Sequence, residues 1–141
     1  MAVWAEKGIL FAALLIGASY CDIQSRKVPD IYSVLIIVTA LFIPDLGKWW
    51  GILCGAPFLL AALTVGGIGG ADIKIMGAAG MVLGLKQGIF AMIIGLFGML
   101  AYHFGRKILL HGTKEMEQSY PLIPFLTAGM TLTYLTLIPL Q

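Results

Sequence analysis

The stretch Gly66-Gly67-Ile68-Gly69-Gly70-Ala71-Asp72-Ile73-Lys74 interrupts a chain that is otherwise almost entirely apolar. Its four glycines allow the backbone to turn freely and allow a neighbouring segment to approach closely. They are followed by one carboxylate, Asp72. Burying an ionisable group among apolar segments costs on the order of a few kcal/mol, so such a residue is a candidate for a functional role. The question for the rest of the chain is which residues act with Asp72.

The composition of the whole chain is typical of a membrane protein. Of its 141 residues, 60% are hydrophobic and 11% are charged, and the mean hydropathy is +0.96. Soluble domains carry about 25% charged residues. We therefore predict an all-α, polytopic membrane protein in which residues 1–141 form a single membrane-embedded domain. We expect the lipid bilayer as its surroundings and no nucleic-acid partner.

Apolar segments long enough to cross a bilayer, about 17–25 residues, divide the chain into about six spans. The fourth is short, so we expect that it either begins inside the glycine stretch or is shielded by neighbouring helices. A turn is predicted at Lys86-Gln87. The predicted spans are Val3–Cys21, Ile31–Ile43, Trp49–Val65, Ile73–Leu85, Gly88–Phe104 and Tyr120–Leu140.

The basic residues are distributed unevenly between the two membrane faces that six spans create. By the positive-inside rule, the face with more basic residues is cytoplasmic, which places the loops next to Asp22 and Asp72 in the cytoplasm and both termini outside. The cytoplasmic set is Arg26, Lys27, Lys74, Arg106, Lys107 and Lys114, and the opposite set is Lys7, Lys48 and Lys86.

Glycines recur at every fourth residue in two places, which on a helix creates a stripe of small side chains. Such stripes let helices pack closely in lipid, and we interpret them as packing surfaces rather than a ligand site. The first set is not expected to form one continuous helical face, because the predicted turn interrupts it. The sets are Gly80, Gly84 and Gly88, and Gly51 and Gly55.

The cysteines and histidines show no spacing typical of a metal site. Cys21 and Cys54 lie in apolar segments without a CxxC pattern, so we interpret them as small buried residues. His103 and His111 have no ligand-spaced partner and are interpreted as structural or solvated. We predict neither a metal nor a cofactor.

Three acidic residues, Asp22, Asp30 and Asp72, lie at span ends on the same predicted face. Two close carboxylates do not both ionise readily, so their pKa values separate. The protonated carboxyl can then donate to a substrate carbonyl while the ionised one activates water, which is acid–base peptide hydrolysis. Structural roles remain open: Asp22 could pair with Arg26 or Lys27, while Asp30 and Asp72 could be N-caps, the latter paired with Lys74.

At these residues the chain resembles the type IV prepilin peptidases, which are GxGD-type membrane aspartyl proteases. The first motif, Asp22-Ile23-Gln24-Ser25-Arg26-Lys27-Val28-Pro29-Asp30, matches the family's aspartate, polar or basic run, aliphatic residue, proline and Asn or Asp. The second, Gly69-Gly70-Ala71-Asp72-Ile73-Lys74, matches its glycine-rich aspartate motif, with Ala71 where the family name expects glycine. Tyr120-Pro121-Leu122-Ile123-Pro124-Phe125 also resembles the proline-rich entry to the family's last helix.

The resemblance implies that Asp22 and Asp72 are the catalytic pair. It implies cleavage of the N-terminal leader of a prepilin or pseudopilin, just before the substrate's hydrophobic helix, at the cytoplasmic face of the inner membrane. Pilus or secretion assembly proteins are implied as further partners. Lys74 and Asp30 are interpreted as supporting or substrate-binding residues. Gly69 and Gly70 let a substrate strand or a neighbouring helix approach Asp72.

One departure from the family's longer members concerns a second activity. Those members carry a zinc-binding cytoplasmic domain with paired cysteines and also N-methylate the new terminus, whereas this chain has no CxxC pair. It resembles the short form, so methyltransferase activity is not expected. Two other classes remain as alternatives: a small ion- or proton-coupled transporter, and a scaffold subunit of a secretion system. Aspartates at span ends, without internal repeats, favour the protease over a transporter.

Overall fold

The computed structural model describes residues 2–42, 46–66, 69–110 and 121–137, and within these ranges the chain forms helices and no strands. The six α-helices are α1 (Ala2–Ser25), α2 (Asp30–Leu41), α3 (Ala56–Thr64), α4 (Gly70–Leu83), α5 (Leu85–Leu109) and α6 (Ile123–Leu137). A 3-10 helix, Leu46–Gly55, runs directly into α3. The predicted all-α class is confirmed.

Helix α4 lies at the centre of the bundle. It packs against the 3-10 helix, α2 and α5, while α6 packs between α5 and α1. Side chains around the whole circumference of α4 are buried, from Ile75 and Met76 to Val82 and Leu83. Helix α4 has 14 residues and begins at Gly70, inside the glycine stretch. Both explanations offered for the short fourth span therefore apply: an early start and shielding by neighbours.

The 3-10 helix lies antiparallel on α4 because glycines remove the side chains between the two backbones. A Cβ atom on Gly51 would overlap the carbonyl oxygen of Gly80, and one on Gly80 would overlap that of Gly51. Nearer the start of α4, a Cβ on Gly55 would lie 3.0 Å from the carbonyl oxygen of Ile73. Residues three apart eclipse on a 3-10 helix, so Cys54 shares the buried face of Gly51. The interpretation of these glycines as packing residues is confirmed.

The turn between α4 and α5 falls at Gly84, so its prediction at Lys86-Gln87 was wrong. Gly84 has φ +91°, a conformation that residues with a side chain rarely adopt. The chain can therefore reverse at this residue, and Lys86 and Gln87 belong to the first turn of α5. The glycine repeat is accordingly divided between two helices that pack together: a Cβ on Gly88 would lie 3.5 Å from the Cα of Gly80.

The exterior of the bundle is apolar, as expected for a surface in contact with lipid. Side chains such as Leu63 and Phe97 are 77% and 72% exposed. Three described helical segments are long and apolar enough to cross a membrane, and α2 is a shorter apolar helix. The chain is thus an all-α membrane protein, while the count of six spans stays a prediction. The three segments are Ala5–Ser25, Leu46–Thr64 and Leu85–Leu109.

Candidate active site

Asp22 lies on the last turns of α1, because this helix continues beyond its predicted end at Cys21 to Ser25. The helix ends where Arg26 adopts a left-handed conformation, with φ 53°, and its N–H donates to the Asp22 carbonyl at 3.0 Å. The Asp22 carboxylate accepts a hydrogen bond from the Ile123 N–H at 3.3 Å. Ile123 is the first residue of α6, where backbone N–H groups have no partner within the helix. Asp22 therefore joins the end of α1 to the start of α6.

Asp72 lies in the first turn of α4, and Gly69 is the residue that caps this helix. The Gly69 backbone N–H lies close to the Asp72 carboxylate and lowers its pKa, as expected for an acidic residue at this position of a helix. A Cβ on Gly69 would lie 3.4 Å from Asp72 Oδ2, so the carboxylate rests directly against the glycine. Burial, followed by repulsion from the negative charge of Asp22, raises the pKa of Asp72 to about 6, although the Gly69 N–H opposes this rise.

The two aspartates share one open cavity of about 540 Å³. Asp22 enters it from α1 and Asp72 from α4, which are distant in sequence and brought together by helix packing. The structure therefore brings together the pair expected from the sequence, while their catalytic role stays a prediction. The cavity is lined by Asp22, Arg26, Lys27, Val28, Asp30, Gly69, Gly70, Ala71, Asp72, Lys74, Met99, Pro121 and Leu122.

Asp30 and Lys74 form an ion pair at the mouth of this cavity. The Lys74 Nζ lies 2.8 Å from Asp30 Oδ1, and these side chains are 55% and 69% exposed, respectively. Pairing of Lys74 with Asp72 is therefore wrong, because the lysine reaches across from α4 to α2. Asp30 is not an N-cap either, since Pro29 precedes the helix and Asp30 is its first residue. An exposed ion pair of this kind contributes only about 0–1 kcal/mol to the stability of the fold. Its position at the cavity is therefore more relevant to function than to stability.

A buried polar bridge ties α1 to α6 just below Asp22. Ser19 Oγ donates to the Leu15 carbonyl at 2.9 Å and lies 2.6 Å from Thr127 Oγ1, which also reaches the Leu15 carbonyl at 3.3 Å. Serine and threonine hydroxyls commonly form hydrogen bonds between neighbouring helices in membrane proteins. This bridge holds the two helices whose ends present Asp22 and the Ile123 N–H.

The sequence did not identify the backbone N–H of Ile123 as part of the site. The available signal was the pair Pro121 and Pro124, which brackets the start of α6 and leaves the intervening N–H groups of Leu122 and Ile123 as donors. From the sequence, Arg26 and Lys27 served mainly to orient the chain in the membrane, yet both line the cavity. Arg26 interacts electrostatically with Asp22, as one structural alternative expected.

The cysteines and His103 lie apart from this cavity. Both cysteines are free thiols. Cys54 is buried, as predicted, whereas Cys21 is only half-buried. His111 lies outside the described residues. Within the described ranges, the acidic, cysteine and histidine side chains form no group of three or more able to hold a metal ion.

A family model described as the type IV leader peptidase family matches residues 9–104, a range that contains Asp22 and Asp72. Among curated proteins, the "Prepilin leader peptidase/N-methyltransferase" of Bacillus subtilis (strain 168) is 34% identical over 137 residues. That alignment covers 90% of this chain and 54% of the relative, so the chain spans about half the relative's length. No solved structure matches the chain.

Proposed function

The chain belongs to the type IV leader peptidase family, and from this premise we propose that it is a membrane aspartyl endopeptidase that removes the N-terminal leader of type IV prepilins or pseudopilins. The observation that carries the proposal is the placement of Asp22 and Asp72 in one cavity at helix ends. The name of the Bacillus subtilis relative supports the same substrate class. The transporter and scaffold alternatives have no comparable supporting observation.

In the proposed mechanism Asp72 is the acid and Asp22 is the base. Asp72, with its pKa raised to about 6, retains its proton more readily than an ordinary aspartate and donates it to the scissile carbonyl. Asp22, oriented by the Ile123 N–H, accepts a proton from water, whose oxygen attacks the carbonyl carbon. As the tetrahedral intermediate collapses, the carbon–nitrogen bond breaks and the proton held by Asp22 passes to the leaving amine. One hydroxyl of the intermediate returns its proton to Asp72, which leaves a carboxylic acid product and restores both aspartates. No covalent enzyme intermediate forms.

Four further residues have supporting roles in this proposal. Gly69 lies against the Asp72 carboxylate, and Gly70 borders the open space of the cavity, since a Cβ there would meet nothing within 4 Å. The Lys74–Asp30 pair holds α4 against α2 at the cavity mouth.

The direct test is cleavage of a full-length prepilin by the purified protein in lipid nanodiscs. Mass spectrometry of the pilin product identifies the new N-terminus, and a parallel reaction with a methyl donor detects methylation. We expect cleavage without methylation, since we propose peptidase activity alone. If the protein cleaves no prepilin and instead moves protons or ions across liposomes, the peptidase proposal is wrong.

Cleavage is expected to weaken as the pH rises above about 6. Asp72 holds its proton below its pKa of about 6 and loses it above that value, and two ionised carboxylates have no proton to donate. At lower pH activity falls again when Asp22 is also protonated, so the profile is bell-shaped and its two limbs belong to the pair. The measurement is kcat/KM against pH in nanodiscs, with thermal stability followed over the same range. A flat or rising profile between pH 6 and 8 would contradict this assignment of acid and base.

We further propose that the protein lies in the cytoplasmic membrane with its active site facing the cytoplasm and both termini outside. The uneven distribution of basic residues supports this orientation. Reporter fusions that are active on only one side of the membrane, placed separately at each terminus, measure it. We expect both fusions to report an external position, whereas cytoplasmic termini would reverse the orientation.

A further inference from the structure

A second cavity, of about 510 Å³, forms a groove on the outside of the bundle between α2, the 3-10 helix with α3, and α4. Its floor consists of small residues, including Ala56 and Gly77, and its walls are aliphatic. The wall residues Val34 and Leu59 are 55% and 49% exposed, so the groove is accessible from the surrounding lipid. A small-residue floor lets the backbone of another helix approach closely.

The groove is continuous with the candidate active site. Asp30 and Lys74 line both cavities, so the two spaces meet at this ion pair. On one side of the pair lie the catalytic aspartates, and on the other the lining is almost wholly apolar. Apart from the pair itself, Ser33 is the groove's polar residue and it is buried. The occupant of the groove is therefore apolar, and one end of it lies beside the active site.

We propose that the groove seats the apolar helix of the substrate that follows the scissile bond. This inference rests on the proposed peptidase function and adds where the substrate binds. The helix enters sideways from lipid and packs on the floor at Ala56 and Gly77. Its N-terminal end unwinds beside the Asp30–Lys74 pair, where the lysine has further N–H donors for a peptide carbonyl. The extended segment then reaches Asp22 and Asp72.

The test compares two substrates: a full-length prepilin in nanodiscs, and a soluble leader peptide that ends shortly after the cleavage site. Ala56→Phe fills the floor of the groove from an exposed position. We expect it to raise KM for the full-length prepilin about tenfold or more, because an overfilled site no longer accepts the helix. For the short peptide, kcat/KM should change less than about twofold. Ala101→Phe, on the exposed face of α5, is the matched control and should affect neither substrate.

Three outcomes bear differently on the proposals. If Ala56→Phe impairs both substrates equally, or neither, the groove is not the binding site for the substrate helix. If wild type cleaves neither substrate, the proposed function itself fails. A photoreactive residue at Leu59, in an Asp72→Asn background, should crosslink to the apolar helix of the prepilin, and the same residue at Phe97 should not. Crosslinks from Leu59 to lipid alone would overturn the groove proposal.

Discussion

Asp22→Asn and Asp72→Asn are each expected to lower kcat/KM for prepilin cleavage about 10²–10⁴-fold, the range typical of removing a general acid or base. Asparagine keeps the shape of aspartate, and its carbonyl oxygen can still accept the Ile123 N–H at position 22. What it loses is the ability to exchange a proton. The measurement is the initial rate of leader removal in nanodiscs, at matched enzyme and substrate concentrations.

The double variant distinguishes a catalytic pair from two independent contributors. Because the carboxylates act as a unit in the proposed mechanism, removing both should be about as damaging as removing one. Glu6→Gln is the matched control, since Glu6 is an exposed carboxylate on the same helix as Asp22. It should cleave at the wild-type rate. Normal cleavage by either single aspartate variant would refute the catalytic pair.

Thermal unfolding separates loss of chemistry from loss of fold in these variants. The pKa of Asp72 is raised from 3.8 to about 6, so its ionised form is disfavoured in the folded protein. The folded state therefore loses stability as the pH rises through the interval between these two values, and it carries no such cost below pH 3.8. Asp72→Asn should consequently be at least as stable as wild type at pH 8. A strongly destabilised variant would mean that the carboxylate has a structural role instead.

Gly51→Ala and Gly80→Ala are expected to cause the largest loss of stability. The new Cβ atom would overlap the backbone carbonyl of the facing glycine in either case, so the 3-10 helix and α4 would have to separate. Overfilling a packed interior costs about 1–3 kcal/mol, and more where backbone rather than a flexible side chain must move. Because α4 also carries Asp72, the displacement should impair cleavage as well. The measurements are the yield of folded protein, the unfolding temperature in detergent and the cleavage rate.

Gly105→Ala is the control for this pair. Gly105 lies within α5, and a Cβ there would meet nothing within 4 Å. Alanine in the interior of a helix is about 0.5–1 kcal/mol more favourable than glycine, so this variant should be neutral or slightly more stable. Equal losses at residues 51, 80 and 105 would show that these glycines matter for backbone freedom, and not for the close approach of two helices.

Local properties of the sequence were sufficient to predict the class of protein and to select the aspartates that share the cavity. Hydrophobicity is a property of each segment, so an all-α membrane protein followed from composition alone. The rarity of carboxylates made Asp22 and Asp72 candidates, because each ionisable group in an apolar chain needs a reason to be there. Glycine spacing identified packing surfaces for a similar reason, since a missing side chain marks close approach of backbones.

Contacts between residues on different helices could not be predicted from local sequence properties. Lys74 is two residues from Asp72 in sequence, yet its ammonium group reaches Asp30 on α2. The turn was predicted at the polar pair Lys86-Gln87 but lies at Gly84. The backbone there has a positive φ, which glycine adopts readily whatever the polarity of its neighbours. The Ile123 N–H is a backbone donor, which any residue except proline could supply, so the identity of residue 123 carried no signal and only the neighbouring Pro121 and Pro124 did.

Because the solvation of each side chain is decided residue by residue, the sequence alone predicted an apolar helical bundle with three aspartates at span ends, Asp22, Asp30 and Asp72. Which groups face these aspartates depends on tertiary packing: the start of α6 faces Asp22, Gly69 faces Asp72, and Lys74 pairs with Asp30 between the polar cavity and the apolar groove. These contacts depend on how α1, α2, α4 and α6 pack against one another. A shift of one helical turn in any of them would leave every local pattern unchanged and give each aspartate different neighbours.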